Sequence, residues 1–306
     1  MRLYKMSTEE QEYLKTYDIA AFERPSIAAD IVVFSVLNDG ERENIRRLQR
    51  KSLKVLLVKR ASFPYKDNWA LPGGFCIPGE DVIDTAKREL TEETNVRDAY
   101  LKLVDVYGEE GRDPRGWIIS NTFMALIDGR KCDLRAGTDA WEARWFSIEV
   151  AAESVRREIK NDDVFLETDY ELTFSDEESS QKLTALLKEQ RTFHAYHESV
   201  RYEIVESEGL AFDHAKNILN ALLRLRNDVA YDLRIAFDLM PERFTLTELQ
   251  NVYELILDKK LLTANFRRKI ADYVAETDEM MEGEGFRPAK LFRRNVEAFY
   301  SRSGQI

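Results

Sequence analysis

Apolar positions along the chain fall into two rhythms, and the changes between them outline elements before any chemistry is considered. Ile31 to Leu37 and Leu53 to Lys59 are apolar runs rich in β-branched residues; the charged segment Asn38 to Ser52 between them predicts two strands around a solvated loop. Thr8 to Tyr17, opened by Ser7 or Thr8 and followed by Pro25, reads as a short polar surface helix. Val82 to Thr94 is predicted helical, Leu101 to Tyr107 and Trp117 to Ile127 return to strand spacing, and Trp141 to Ser147 is a shorter strand. Strands around one central helix predict an α/β (α+β) fold. Between Ala151 and Gly209 the pattern loosens: alternating segments at Tyr170 to Phe174 and Val200 to Val205 flank Lys182 to Gln190, which reads as a polar helix. Leu210 to Arg226 places Ile218, Leu222 and Leu225 on one stripe and is expected to close the first domain. The expected organisation is an arm at 1–24, a domain at 25–228 with an insertion at about 151–209, and a second domain at 229–306.

Composition narrows the classes. The 306 residues, 44% hydrophobic, suffice for two cored domains. A net charge of −11 excludes a surface wholly coated with nucleic acid and confines any such site to a local patch. Cys76 and Cys132 are far apart, which argues against a disulfide framework or a cysteine zinc site and suits a reducing compartment, so a cytoplasmic location is expected. No apolar run is long enough for a membrane span, and none is expected.

The candidate chemistry lies between Gly74 and Val96. Glu80 follows Gly74 after five residues, and after seven more comes Arg88, Glu89, Leu90, Thr91, Glu92, Glu93, Thr94, Asn95, Val96. On a helix Glu89, Glu92 and Glu93 share one face, while Ile83, Ala86 and Leu90 bury on the neighbouring one. Clustered carboxylates repel, a cost relieved by a divalent cation between them. Magnesium, with manganese as a substitute, suits an all-oxygen set that leaves room for water and phosphate. A solvated acidic face explains an arbitrary glutamate trio; matched offsets over this whole run do not arise that way.

This run resembles the Nudix box at every specified position except Asn95, where the pattern has a helix-ending glycine. The resemblance implies that Glu92 and Glu93 hold metal with the Gly73 carbonyl, that Glu89 orients or deprotonates water, that Arg88 pairs with a box glutamate, and that Glu80 reaches the metals from the loop. The flanks, Lys59 to Phe75 and Gly111 to Trp117, resemble Nudix proteins that bind ADP-ribose. There Arg60, Lys66, Arg112 and Arg115 are candidates for phosphate contact, and Phe63 or Trp69 for stacking on a base. Surface charge and core packing explain each of these taken singly, Trp69 above all. His194 and His197 form an HxxH, but strand residues three apart face opposite ways, so no metal is expected there. Cys76 is read as packing, and Asp213 with His214 as a helix start.

Thr245 to Leu257 and Thr263 to Val274 are amphipathic helices joined by a short turn, and Met281 to Asn295 is hairpin-like. Together they read as a winged helix-turn-helix, with Arg267, Arg268 and Lys269 on its second helix and Arg287, Lys290, Arg293 and Arg294 on the wing. Seven basic against six acidic residues from Thr263 to Arg294 leave charge alone indecisive, and a dimerisation or lid domain without DNA is the alternative. From about Ile27 to Arg294, outside the insertion, the chain resembles the Nudix-related transcriptional regulator family. That resemblance implies a Nudix α/β/α sandwich with a mixed sheet, a C-terminal winged helix, ADP-ribose sensing, operator DNA of NAD or sugar metabolism, and a homodimer. Two readings follow. With all four glutamates kept, the first is a magnesium-dependent hydrolase of ADP-ribose or a related nucleoside diphosphate derivative. The second is an ADP-ribose-responsive transcriptional regulator whose Nudix domain mainly binds.

Overall fold

The computed structural model describes residues 6–39, 50–97, 99–134, 140–281 and 288–301. Helix α1 (Thr8–Thr16) is closed by a capping box between Ser7 and Glu10, and none of its residues is buried. Strands β1 (Ser26–Asn38) and β2 (Lys51–Arg60) pair antiparallel, with Phe34 opposite Val55, as their apolar runs predict. Short strands β3 (Trp69–Ala70) and β4 (Gly73–Phe75) lead into α2 (Val82–Thr94), followed by β5 (Tyr100–Tyr107) and β6 (Ile118–Leu126). Helix α2 ends at Asn95 with φ 57°, the left-handed turn that asparagine tolerates next best to glycine.

The segment expected to contain a helix is instead a β-meander: β7 (Ala140–Lys160), β8 (Asp163–Asp176), β9 (Gln181–Phe193) and β10 (Glu198–Glu208). Lys182 to Gln190 lies within β9, where Leu183, Ala185, Leu187 and Glu189 are buried in strict alternation. The inward Glu189 disguised that period; Arg191 and the Tyr202 hydroxyl donate to it. The meander extends the main sheet, whose order is β10-β9-β8-β7-β2-β1-β6-β5. Strands β1 and β6 run parallel while the other strand pairs among the described residues run antiparallel, so the sheet is mixed.

Strand β1 forks. Its outer half, Phe34 to Asn38, pairs with β2, whereas Ala28 to Asp30 pair with β4. Helix α2 covers one face of the sheet through Ala86 and Leu90 against Ile31, Val33 and Phe123. Helix α3 (His214–Tyr231) covers the other, completing the two-sided sandwich. Ile218, Leu222 and Leu225 are buried on its inner stripe as the periodicity requires.

After α3 come α4 (Leu246–Leu257), α5 (Thr263–Ile270), the hairpin β11 (Val274–Met281) with β12 (Ala289–Arg294), and α6 (Val296–Ser301). A second capping box, Thr245 with Glu248, starts α4, and Asp258 in the left-handed region ends it. Helix α5 is shorter than expected, because Ala271–Tyr273 tighten into a 3-10 turn and Val274 already pairs with Arg294. Glu276, Asp278 and Glu279, three of the six acids from Thr263 to Arg294, fall on β11. One hydrophobic core contains Phe146, Leu172 and Phe174 from the sheet, Leu222 and Val229 from α3, and Leu249, Tyr253 and Phe266 from the winged helix. No helix among the described residues is long and apolar enough to cross a membrane.

Candidate functional site

The fork in β1 opens a cleft of about 280 Å³ where β4, the second half of α2, the Arg112–Arg115 loop and the start of α3 converge. One wall is acidic. Glu89, Glu92 and Glu93 line it together, as the helical spacing predicts. Gly73 has no room for a side chain, since a Cβ on it would lie 2.4 Å from the Ala29 carbonyl oxygen, and a Cβ on Gly74, 2.0 Å from Glu89 Oε1, would push that carboxylate aside. Arg88 organises this wall, donating to Glu89 at 2.6 Å and to Glu80 at 2.9 Å, with Glu92 at 3.7 Å. Burial pushes the Glu89 carboxyl above its ordinary value and Arg88 offsets this only in part. Hydrogen bonding to Arg88 holds Glu80 below its own.

The donor set of this wall suits a hard divalent cation, since it offers carboxylates and backbone carbonyl oxygen. No three acidic, imidazole or thiol side chains among the described residues are gathered to metal-binding geometry, and Arg88 takes up Glu89. Glu80 is not among the residues that line the cleft and is taken up by Arg88 and Thr85.

The facing wall is cationic and aromatic. Arg60 lies over the Phe212 ring at 4.9 Å, and Arg115 lies over Phe75 at 5.0 Å and Phe212 at 5.2 Å. Phe63 stands at the rim, 83% exposed. Lys66 is exposed but is not among the lining residues, and Trp69 is buried in the core edge-on to Phe146 at 4.8 Å. Neither therefore belongs to the wall. Trp69→Phe is expected to lower stability by on the order of 1–2 kcal/mol and leave ligand affinity unchanged. Thermal unfolding and calorimetry check this; a tenfold loss of affinity in a folded variant would return Trp69 to the ligand.

Beneath the arginines lies a polar floor. Arg112, its side chain 6% exposed, donates to both Asp213 oxygens at 3.0 and 2.7 Å and stands 3.8 Å from Asp30. Burial alone would raise the Asp213 carboxyl, but Arg112 overturns this and holds it below its ordinary value. The Leu71 N–H donates to His214 Nδ1 at 2.9 Å, which places the ring proton on Nε2, 3.9 Å from Asp30. Burial keeps that imidazole neutral by lowering its pKa. Asp213 starts α3 as expected but makes no side-chain cap, being committed to Arg112. Sequence reasoning missed Asp30, Phe75 and Phe212. A lone carboxylate in the apolar run of β1 was the available signal for Asp30. Phe212 takes φ 53°, a left-handed strain that spacing does not reveal.

A larger cleft, about 980 Å³, opens between β2, β7, β8 and α4 but contains none of the box. Two of its cations are already paired, Lys51 with Glu248 at 3.2 Å and Lys260 with Glu254 at 2.8 Å. His194 and His197 lie at the β9 to β10 turn with stacked rings, rather than on opposite strand faces, and His194 pairs with Asp163 at 3.0 Å.

In the winged helix, Arg267, Arg268 and Lys269 are exposed in the last turn of α5 and make no ion pair among the described residues. Their contact is local, Arg268 to the Asn265 side chain at 3.4 Å. On the wing Lys290 pairs with Glu276 and Arg294 with Asp238 at 2.8 Å, while Arg293 is exposed. Arg287 lies outside the described residues.

Comparison with known proteins matches both parts. The NUDIX domain family matches residues 32–168, and the NrtR DNA-binding winged helix domain matches residues 236–294. The chain is 30% identical over 290 residues to the ADPR responsive transcriptional repressor NtrR of Acinetobacter baylyi, covering 94% of this chain and 88% of that protein. It is 43% identical over 98 residues to the ADP-ribose pyrophosphatase of Methanocaldococcus jannaschii, covering 32% of this chain and 57% of that one. The crystal structure of Shewanella oneidensis NrtR with a 27mer DNA superposes with a TM-score of 0.58 at 25% identity, covering 89% of this chain and 94% of that one. Nudix domains as a family generally use a divalent metal such as magnesium. With the box on α2, the mixed sheet and the C-terminal winged helix in place, the chain belongs to the Nudix-related transcriptional regulator family, the NrtR type.

Proposed function

We propose that this protein is an ADP-ribose-responsive DNA-binding repressor, in which the β1 fork takes the nucleoside diphosphate and α5 enters DNA. The observation that carries this reading is the basic end of α5, Arg267 to Lys269, without an ion pair among the described residues, on a helix whose Phe266 and Ile270 are anchored in the same core as the Nudix sheet. The repressor relative over nearly the whole chain supports it. In the cleft, Arg115 and Arg112 suit phosphate oxygens, and Phe63, Phe75 and Phe212 suit a base or ribose. A gel shift at low salt with duplex from the chain's own promoter region tests it. A retarded band is expected; no band at any protein concentration in the micromolar range sinks the reading.

A second reading, hydrolysis of ADP-ribose or a related derivative, is favoured by the intact four-glutamate box. Glu92 and Glu93 would hold magnesium, or manganese in its place, with the Gly73 carbonyl, and the bound ion would neutralise diphosphate charge and acidify water. Glu89, partly buried and kept at the cleft by Gly74, is placed to hold that water's proton. The two readings are compatible, since slow turnover would end a signal. A homodimer fits the regulator reading, because paired winged helices read paired half-sites.

A further inference from the structure

We propose that the Arg112–Asp213 ion pair is the switch that reports cleft occupancy to the winged helix, Asp213 keeping Lys216 and exchanging Arg112 for Asn217 when an anionic ligand enters. This rests on the regulatory reading above and names the residues that would carry it.

Arg112 is a buried cation that already faces two carboxylates, Asp213 in a bidentate bond and Asp30 at 3.8 Å. A diphosphate arriving in the same cleft adds a third anion in a poorly solvated place, and that crowding is relieved only if one carboxylate withdraws. Asp30 is fixed in β1 between β4 and β6 and accepts from the Ser120 hydroxyl. Asp213 has somewhere to go. It precedes α3 without capping it, and Lys216 Nζ, which donates to Glu109 at 2.6 Å, already stands 3.4 Å from its Oδ2. One helical turn on, Asn217 is completely buried, and neither its Oδ1 nor its Nδ2 has a partner among the described residues. A buried amide left unsatisfied is costly and offers a partner to a carboxylate that turns toward it. Residues four apart on a helix are neighbours, so an Asp213 carboxylate turned along α3 meets the Asn217 amide.

Helix α3 then carries the change. It runs unbroken for 18 residues from the cleft to the winged helix. Its far half packs Leu222, Leu225 and Val229 into the core that holds Leu249, Val252 and Tyr253 of α4. Arg226 Nε donates to the Ile256 carbonyl at 3.0 Å, tying α3 to the end of α4 that leads into α5. Close-packed elements of this kind shift as bodies, so a movement at Asp213 is delivered to α5 undiminished.

The test uses the full chain, ADP-ribose by calorimetry, and a labelled duplex of its own promoter region by anisotropy. Asp213→Asn breaks the pair without ligand: DNA binding is expected to weaken about tenfold, ADP-ribose binding to hold or tighten, and ADP-ribose to change DNA affinity less than about twofold. Asn217→Leu removes the alternative partner and gives the opposite signature, with DNA and ADP-ribose both bound but ligand-driven release reduced at least about fivefold. If Asp213→Asn does not fold, Asn217→Leu decides. Parent-like release in the folded variants overturns the switch and leaves the regulatory reading standing. A parent protein that binds both ligands without mutual effect overturns both.

Discussion

Replacing Arg267 and Arg268 together with alanine is expected to abolish the DNA complex while leaving the fold and the ADP-ribose affinity of the cleft intact. Both side chains are exposed in the last turn of α5, and no acid among the described residues neutralises them. Elsewhere in the winged helix the pairing is extensive: Lys290 with Glu276, Arg294 with Asp238, and Arg243 with Glu242 and Glu279. Paired cations release fewer counterions on binding DNA, so the free pair on α5 carries a disproportionate share of the affinity. At roughly 1–3 kcal/mol for each base contact, the double variant loses on the order of a hundredfold or more. If either side chain contacts phosphate instead, the slope of affinity against salt falls by about one for each contact removed. Anisotropy across a salt series reads both. Parent affinity in the double variant would move the DNA contact elsewhere, with the exposed Arg293 of β12 as the next candidate.

Glu93→Gln is expected to remove any magnesium-dependent turnover of ADP-ribose and to leave DNA binding without ligand unchanged. Glu93 is 7% exposed on the buried edge of the acid wall, and glutamine preserves its shape but not its charge. Loss of one charged ligand or proton-handling group costs on the order of 10²–10⁴ in rate where metal-assisted water attack operates. Its helix α2 packs in a different apolar cluster from the one that α3 shares with the winged helix. The variant therefore separates the hydrolase reading from the regulator reading. Turnover at the parent rate would show that the box does not perform the chemistry, and weakened DNA binding without ligand would show that the acid wall is part of the DNA-competent state.

The box and its helix were legible because their signal is local. Glycine, arginine and glutamates at fixed offsets sit on one helix, and α2 spans Val82 to Thr94 as its periodicity requires. The meander was less so. In β9 the inward position Glu189 is charged and stays buried only because Arg191 and Tyr202, on its own and the next strand, satisfy it. A hydrophobicity pattern registers that residue as a break in strand period and turns toward helix. Val274 was similarly ambiguous: four residues after Ile270, it continues a helical stripe, but its β-branched side chain belongs to β11, opposite Arg294. The cleft's second wall was legible only in part. Arg60, Arg112, Arg115 and Phe63 line it, whereas Trp69 and Lys66 from the same flanking stretch do not. Asp30, Phe212 and His214 join it from β1 and the start of α3, a convergence set by the fork in β1 rather than by spacing.

Under the proposed function, the occupant of the β1 fork controls the grip of α5 on DNA. The most direct measurement is the affinity of the full chain for its promoter duplex with and without saturating ADP-ribose, at fixed salt and with magnesium present. The account predicts at least about a tenfold weakening, with the reciprocal loss of ADP-ribose affinity when DNA is bound. Equal DNA affinity in the two titrations, with ADP-ribose demonstrably bound, would contradict it.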